Sequence, residues 1–484
     1  MASPSIDSQG LLDRLFQEGK LARTPDLEPA AEAMLTELLD RIDAVQSPLP
    51  ATAFSFINQE IQQTDTSIGA QLNEVLHHPD FLALEGSWRS LHYLVMNSET
   101  GTSLKLRVAN VSKTELLEDL EKAVEFDQSA LFKKVYEEEY GTFGGTPYSC
   151  LIGGYEFTRS TPDMELLFKV SSVAAAAHTP FIAMASSALF DMDSYTHLAE
   201  PRDLSKVFES SEMVKWRSFR ESEDSRYVVL TLPHILARLP YGPDTQPVEG
   251  LAFAEDLYGT ENAKFCWGNP AFALAQRITN AVAHYGWPAA IRGVEGGGLV
   301  TGLPAYAFKT TDGDVALKCP TEVAVTDRRE KELGDLGFLS LCHCKGTDYA
   351  AFFGGQTTQK SQTYNTDEAN ANASLSARLP CILAASRFAH YIKAIVRDKI
   401  GSFSNKGEVE HYLNTWVAGY VILNDGASQT LKARYPLREA RVDVSDVPGK
   451  PGSYTATIYL RPHFQLETLT ASIRLVASLP APAK

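Results

Sequence analysis

Apolar positions recur along this chain with two periods, and the change between them divides it. Leu11, Leu12, Leu15 and Phe16 lie one or four residues apart, behind Asp7 or Ser8 as a cap and ahead of Gly19 as a stop. That spacing predicts a short helix with one apolar face. Alone in water so short a helix is marginal, so it needs a surface to dock on. A polar stretch containing Pro25 and Pro29 follows, and residues 30–95 then keep a helical period. Ile68, Leu72 and Leu76 share one face; Leu84, Trp88, Leu91 and Val95 form a stripe on the next helix, with Asp80 as its cap and Glu85 and Arg89 as an i,i+4 pair.

Past residue 100 the period shortens to two. Leu104, Leu106 and Val108 alternate with Lys105 and Arg107, which predicts a strand with one wetter face. Ser112-Lys113-Thr114-Glu115 is a capping box, opening a helix whose apolar face is Leu116, Leu117, Leu120 and Val124. Strands are expected at 147–154, 180–185 and 227–232, and helices at 161–177 and 270–284, each with Pro in its first turn. Residues 241–263 and 286–302 are rich in turn formers, 315–325 is strand-like, 327–333 begins a charged helix, and 354–372 is a polar, exposed connection. Alternating strands and helices predict an α/β core with parallel pairing.

The last part is organised differently. Helices are expected at 379–400 and 409–423. Ala440, Val442 and Val444 then alternate with Arg441, Asp443 and Ser445; the turn-forming run 448–452 follows; and Tyr454, Ala456, Ile458 and Leu460 alternate on the way back, the pattern of a hairpin. Ile473, Leu475 and Ala477 suggest a last short strand. The chain shows no internal repeat. The fold class is mixed α/β (α+β), and 484 residues exceed one compact core. We divide the chain at residues 1–50, 51–375 and 376–484.

Charge narrows the function classes. With 44 Lys+Arg against 60 Asp+Glu the formal charge is −16, the wrong sign for a nucleic-acid or anionic-membrane surface. No apolar run approaches the roughly 20 residues of a bilayer span; the longest, 172–184, is broken by His178, Thr179 and Pro180. The N-terminus lacks a basic-then-apolar leader pattern, so a cytoplasmic protein is expected. The six cysteines, Cys150, Cys266, Cys319, Cys342, Cys344 and Cys381, sit mostly in apolar segments and read as reduced, buried thiols.

Chemistry-bearing motifs are missing. There is no G-x-x-x-x-G-K-[ST] loop, and Gly296-Gly297-Gly298 fails the dinucleotide pattern because Thr301 stands where glycine is required. There is no G-x-S-x-G elbow and no H-E-x-x-H. Cys342-His343-Cys344 could turn two sulfurs to one ion on a strand, but a second ligand pair is lacking, so neither a metal nor a cofactor is expected. Asp327-Arg328-Arg329-Glu330-Lys331-Glu332 reads as a solvated helix face, a carboxylate pair for acid–base work, or an ionic docking surface.

Four ordered blocks carry a family resemblance: Phe81-Leu82-Ala83-Leu84-Glu85-Gly86-Ser87-Trp88-Arg89-Ser90-Leu91-His92-Tyr93; Thr326-Asp327-Arg328-Arg329-Glu330-Lys331-Glu332-Leu333 with Gly337-Phe338; Ser386-Arg387-Phe388-Ala389-His390-Tyr391; and Pro436-Leu437-Arg438-Glu439-Ala440 with Arg461-Pro462-His463-Phe464. Together they resemble the large subunit of the type VI secretion contractile sheath, the TssC/VipB family. The resemblance implies a phage-tail-sheath-like fold and a structural role without catalysis. It implies pairing with a small TssB/VipA subunit, assembly from a baseplate around a tube of Hcp rings, and dismantling by the AAA+ ATPase ClpV. On this resemblance Leu11, Leu12, Asp13, Leu15 and Phe16 would bind ClpV; Asp327, Arg328, Arg329, Glu330 and Glu332 would face the tube; and Val442, Val444, Tyr454, Ile458 and Leu460 would link subunits by strand exchange. A sheath protein of a phage-like contractile injection particle is the alternative, and it would assemble without a small partner.

Overall fold

The computed structural model describes residues 24, 27–44, 53–310, 312–399, 405–424, 426–446 and 454–463. The expected ClpV-binding helix with Leu11, Leu12, Asp13, Leu15 and Phe16, and the strand expected at 473–477, lie outside the described residues. The chain divides into two units, Met1–Leu72 with Val248–Phe253, and Asn73–Pro247 with Ala254–Lys484. The first contains helix α1 (Glu28–Ala44) and most of α2 (Ala53–Leu76). Within it the Ala252 N–H donates to Asp65 (3.3 Å).

The second unit begins with α3 (Pro79–Met96). His78, not Asp80, caps it: the imidazole accepts from Asp80 N–H. Helix α4 (Lys113–Lys122) opens on the expected capping box, with Ser112 and Glu115 exchanging hydrogen bonds of 3.2 and 2.8 Å. In order there follow β1 (Leu151–Phe157), α5 (Thr161–Ala176), β2 (Phe181–Ala185), β3 (Val228–Leu232), β4 (Ile235–Leu236), β5 (Trp267–Gly268), α6 (Pro270–Tyr285), β6 (Leu299–Val300), β7 (Ala307–Lys309) and β8 (Val315–Leu317). Next come α7 (Asp327–Asp335), β9 (Phe338–His343), β10 (Ala350–Phe352), α8 (Asp367–Ser376), α9 (Leu379–Asp398), α10 (Lys406–Ala418), β11 (Leu437–Asp446) and β12 (Tyr454–Pro462).

A six-stranded sheet in the order β1-β2-β3-β9-β10-β6 forms the core. Its first four strands are parallel and its last two join antiparallel. Every residue of β2 and β3 is buried, as expected of strands covered on both faces. Phe181, Ala183, Leu230 and Phe338 pack with Leu166, Leu167 and Val170 of α5. Ile182, Val229, Leu339 and Leu341 pack with Leu274 and Ile278 of α6 and with Leu379 and Leu383 of α9. Alternation thus divides two cores rather than core from water. Helix α9 is long and apolar enough to cross a membrane, yet half of its apolar window is buried inside the chain, which makes it a core helix.

Several expected elements differ. Residues 104–108 join no described strand. The strand within 315–325 is Val315–Leu317, which pairs with β7, and Thr321 adds an isolated bridge to Ile235. The polar stretch 354–372 is not all exposed: Thr357 and Thr358 are buried, each hydroxyl donating to a backbone carbonyl at 2.8 Å. Leu84, Trp88 and Val95 do not face the core; Trp88 is 65% exposed. The inward side of α3 is made of Gly86, Ser90 and Leu94. Ser90 accepts from Asn269 N–H (3.0 Å) and donates to Gly86 O (2.6 Å), so small residues let the helix lie directly against the β5 backbone.

Two ionic clusters fasten this arrangement. Arg238, 3% exposed, makes paired bonds of 2.6 and 3.0 Å to the fully buried Glu255, and its Nε donates to Glu85 of α3 (2.8 Å). Arg89 also donates to Glu85 (2.7 Å), so the expected Glu85–Arg89 pair exists as part of this larger cluster. Burial works to raise the Glu85 carboxyl, but the two guanidiniums hold it below its ordinary value. Elsewhere His234 lies between Glu322 (2.6 Å) and Glu156 (2.9 Å), joining the segment after β3 to β1 and to the approach to α7. Burial alone would depress this imidazole; hydrogen bonds to both carboxylates instead hold it at about 9.

The C-terminal part has its own core, in which Phe388, Ile392, Val409, Leu413, Val442 and Val444 surround Trp287. Trp287 stacks on Phe388 with ring centroids 4.2 Å apart.

A Cβ on Gly86 would stand 2.1 Å from Trp267 O. Gly86→Ala is therefore expected to destabilise the chain by about 1–3 kcal/mol, measured by urea denaturation. The His234 contribution is full below its unfolded value of 6.5 and is lost as pH rises through about 9. The contributions of Glu156 and Glu322, both lowered, are present above 4.5 and lost as pH falls through their folded values. The unmodified chain should lose melting temperature as pH rises from about 6.5 to 9, and His234→Gln should reduce that loss.

Candidate functional site

The C-terminal hairpin is formed, with Val442 opposite Ile458 and Val444 opposite Ala456. Its two outer edges differ. Asn414 of α10 donates to Val442 O (2.7 Å) and accepts from Val442 N–H (3.0 Å). Glu410 accepts from Val444 N–H (3.0 Å), and Ile422 N–H donates to Leu437 O (2.9 Å). The outer edge of β11 is thereby closed by side chains and a neighbouring segment. Antiparallel pairing alternates, so a residue whose N–H points away from its partner strand sits opposite one that does the same. Tyr454, Ala456, Ile458 and Leu460 therefore direct their N–H and C=O groups to the outer edge of β12. Among the described residues no strand pairs with that edge.

The five residues expected to link subunits share this register. Val442 and Val444 are buried, and Ile458 and Leu460 pack against the same core. Their side chains hold the hairpin to its own domain. Within the hairpin, the outward backbone groups left without a strand partner among the described residues are those of β12.

Helix α7 begins after Thr326 and carries Asp327 and Glu330 in its first turn, where the helix dipole favours negative charge. Its charge run is not one solvated face. Asp327, Arg328 and Lys331 are exposed. Arg329, by contrast, donates to Leu198 O, Arg202 O and Glu200 O at 3.2, 2.8 and 2.7 Å and to Glu332 at 2.6 Å. Glu332 also accepts from Leu204 N–H (2.8 Å). Arg329 and Glu332 are thus engaged within the chain and fix residues 198–204 against α7. Glu330 is half-buried, and burial raises its carboxyl above the ordinary value although Arg292 and Arg378 lie nearby. Leu333 is fully buried and anchors the helix.

The thiol cluster does not converge on an ion. Cys342 is buried while Cys344, beyond the end of β9, is exposed. Among the described residues no three His, Cys, Asp or Glu side chains are grouped to hold a metal. The expectation of buried thiols holds for Cys266 and Cys342, both pushed up to about 12 by burial, but Cys319 is half-buried and Cys344 open. Sequence pattern did not reveal Asn414, Glu410 or His234, whose partners are distant in the chain. Glu410 and Asn414 are four apart on one helix face, which was the one local sign of them.

Comparison with known proteins agrees with this arrangement of two parts. Residues 58–359 match the family described as EvpB/VC_A0108, tail sheath N-terminal domain, and residues 368–479 match its tail sheath gpW/gp25-like domain. The chain is 49% identical over 473 residues to the type VI secretion system sheath protein TssC1 of Pseudomonas aeruginosa strain PAO1, covering 96% of this chain and 94% of that protein. Among solved structures it is similar to chains of the anti-feeding prophage baseplate (TM-score 0.34, 12% identity, 65% of this chain and 67% of that chain) and contracted helical sheath (TM-score 0.30, 12% identity, 64% and 66%). At that level nothing further rests on them. The family models and the extended identity together place this chain in the TssC/VipB family, the large subunits of the type VI secretion contractile sheath.

Proposed function

We propose that the chain pairs with a small sheath subunit of the TssB/VipA kind, and that the heterodimers polymerise from a baseplate into a helical sheath around a tube of Hcp rings. Contraction drives the tube and its spike out of the cell. The chain works in the cytoplasm, catalyses no step and needs no cofactor. The energy of contraction resides in the extended lattice as a metastable arrangement of packed units. Residues 11–16 serve disassembly by offering an amphipathic helix to ClpV, a mode in which an apolar face enters a groove.

The observation that carries this reading is the asymmetry of the hairpin. An open strand edge with unpaired backbone groups recruits another strand. Here Asn414 and Glu410 close one edge and no strand among the described residues pairs with the other, which supports a single direction of strand addition. The exposed residues of α7, Asp327, Arg328 and Lys331, suit a contact that holds register and still releases, because exposed ion pairs contribute only about 0–1 kcal/mol each. Arg329 and Glu332 support that contact indirectly by holding α7 in place.

Electron microscopy of the chain co-expressed with its small partner tests the reading: hollow tubules are expected from the pair, and tubules from this chain alone would overturn the heterodimer. Ala456→Pro removes an outward N–H on β12 without touching the ladder to β11. Sedimentable tubules should disappear while the heterodimer persists in pulldown; normal tubules would sink the strand-addition proposal. Arg328→Glu with Lys331→Glu should weaken salt-dependent co-sedimentation with purified Hcp tube and leave the melting temperature unchanged. Arg329→Ala should instead destabilise the fold itself, by about 2 kcal/mol in urea denaturation for the loss of charged hydrogen bonds.

A further inference from the structure

Helix α9 belongs to two cores at once. Leu379 and Leu383 in its first turns pack with the main sheet, while Phe388 and Ile392 pack with Trp287 in the C-terminal core. A polar stripe at Arg387, His390, Lys393 and Arg397, spaced three or four residues apart, ties it to the chain before β1 and to the turn after α5. Arg387 donates to Pro147 O (3.4 Å), His390 to Ala177 O (2.9 Å), and Arg397 to Tyr140 O (2.8 Å) and Thr142 O (2.6 Å). The Lys393 ammonium lies 3.5 Å from the ring centroid of Tyr140 and 4.5 Å from that of Tyr136, and it donates to the Tyr136 hydroxyl (3.2 Å).

His390 stands in the middle of the stripe, 2% exposed. A carbonyl oxygen only accepts, so the bond to Ala177 O places the hydrogen on Nε2 and leaves Nδ1 as the protonation site. Nδ1 is buried and meets no hydrogen-bond partner among the described residues. A proton added there would bury a charge without an acceptor. The Tyr140 and His178 rings lie 5.1 and 6.4 Å away between centroids, and His178 Nδ1 is 3.2 Å from the Tyr227 hydroxyl. The groups facing the two imidazoles are therefore Tyr136 and Tyr140 from the turn Lys133–Tyr140, Tyr227 from before β3, and Arg387 and Lys393 from α9 itself. Asp224, which acts on Tyr227, is engaged by the Ser172 hydroxyl (3.1 Å). Burial depresses His390 to about 4, helped by Arg387, His178 and Lys393 and opposed by the Ala177 bond. Burial and Lys393 depress His178 as well.

We propose that His390 and His178 make this contact an acid-sensitive joint, at which proton uptake releases the later turns of α9, with the C-terminal core they carry, from the main core. Once the helix lifts, water accepts from Nδ1–H, and the repulsion among the imidazolium, Lys393 and Arg387 is relieved. Both imidazoles sit below their ordinary 6.5 when docked. The docked arrangement is therefore fully stable above that value and weakens as pH falls from 6.5 toward about 4. The contributions of Glu156 and Glu322 are lost only below 4.5, which separates the two acid effects. Val442 and Val444 of the hairpin belong to the C-terminal core, so the joint governs how firmly the hairpin is held to the rest of the chain.

Hydrogen exchange of the full-length chain tests the joint, followed by peptide mass spectrometry and corrected for the intrinsic effect of pH. Between about pH 7.5 and about pH 5, protection of a peptide spanning residues 386–398 should fall about thirtyfold, the ratio for one imidazole moving between about 4 and 6.5. Peptides covering β2 and β3 should keep their protection over the same range. His390→Gln keeps an N–H for Ala177 O but does not titrate, and in it the fall should shrink about tenfold. Protection at 386–398 that holds down to about pH 5, or an equal loss in β2 and β3, overturns the joint whether or not the variant folds. So does a folded His390→Gln chain that shows the full fall.

Discussion

Backbone hydrogen bonding is the constraint on which this structure turns. A buried N–H or C=O without a partner costs as much as a lost hydrogen bond, and each part of the second unit meets that demand differently. In the core, β2 and β3 lie between neighbours on both sides and helices on both faces. Around the capping box of α4, side chains stand in for missing backbone partners. In the C-terminal hairpin, Asn414 and Glu410 perform that service for one edge only. The outer edge of β12 is paired by no strand among the described residues, and in the proposed lattice a second strand would meet its demand. A sheath subunit that must polymerise without aggregating gains from having one such edge and not two.

Charge is organised on the same principle of internal use first. Arg238 with Glu255 and Glu85, His234 with Glu156 and Glu322, and Arg329 with Glu332 all join segments far apart in the chain. Removing one member of such a buried set leaves an uncompensated charge, which destabilises more than the intact pair stabilises. These clusters therefore act as fasteners between elements far apart in the chain. The groups left at the surface of α7 are weakly held and screened by salt, which suits contacts that form and break.

The face of α3 follows a related logic. Its small residues, Gly86 and Ser90, lie inward because a close approach to the backbone of Trp267–Gly268 requires them. Its large ones, Leu84 and Trp88, are left outside. In an isolated domain such exposure would be a liability; in a subunit that is buried among others it is not.

The sequence alone determined the period of each segment and hence the mixed α/β core, the capping box at Ser112, the Pro-initiated helices α5 and α6, and the C-terminal hairpin, because these follow from local geometry and side chains within a few residues of one another. It also carried the family, through blocks long enough to be distinctive. It misread what depends on distant partners. The stripe on α3 was legible as a helical period, but which side faced inward depended on β5, some 180 residues away. The alternation at 104–108 had the pattern of a strand, but it joins no strand among the described residues. The charge run on α7 looked uniform, and only the tertiary placement of residues 198–204 separated Arg329 and Glu332 from the exposed Asp327 and Arg328. Likewise, nothing local distinguished the two edges of the hairpin. An edge is open or closed according to what the rest of the chain brings beside it, and here that is Asn414 and Glu410 of α10.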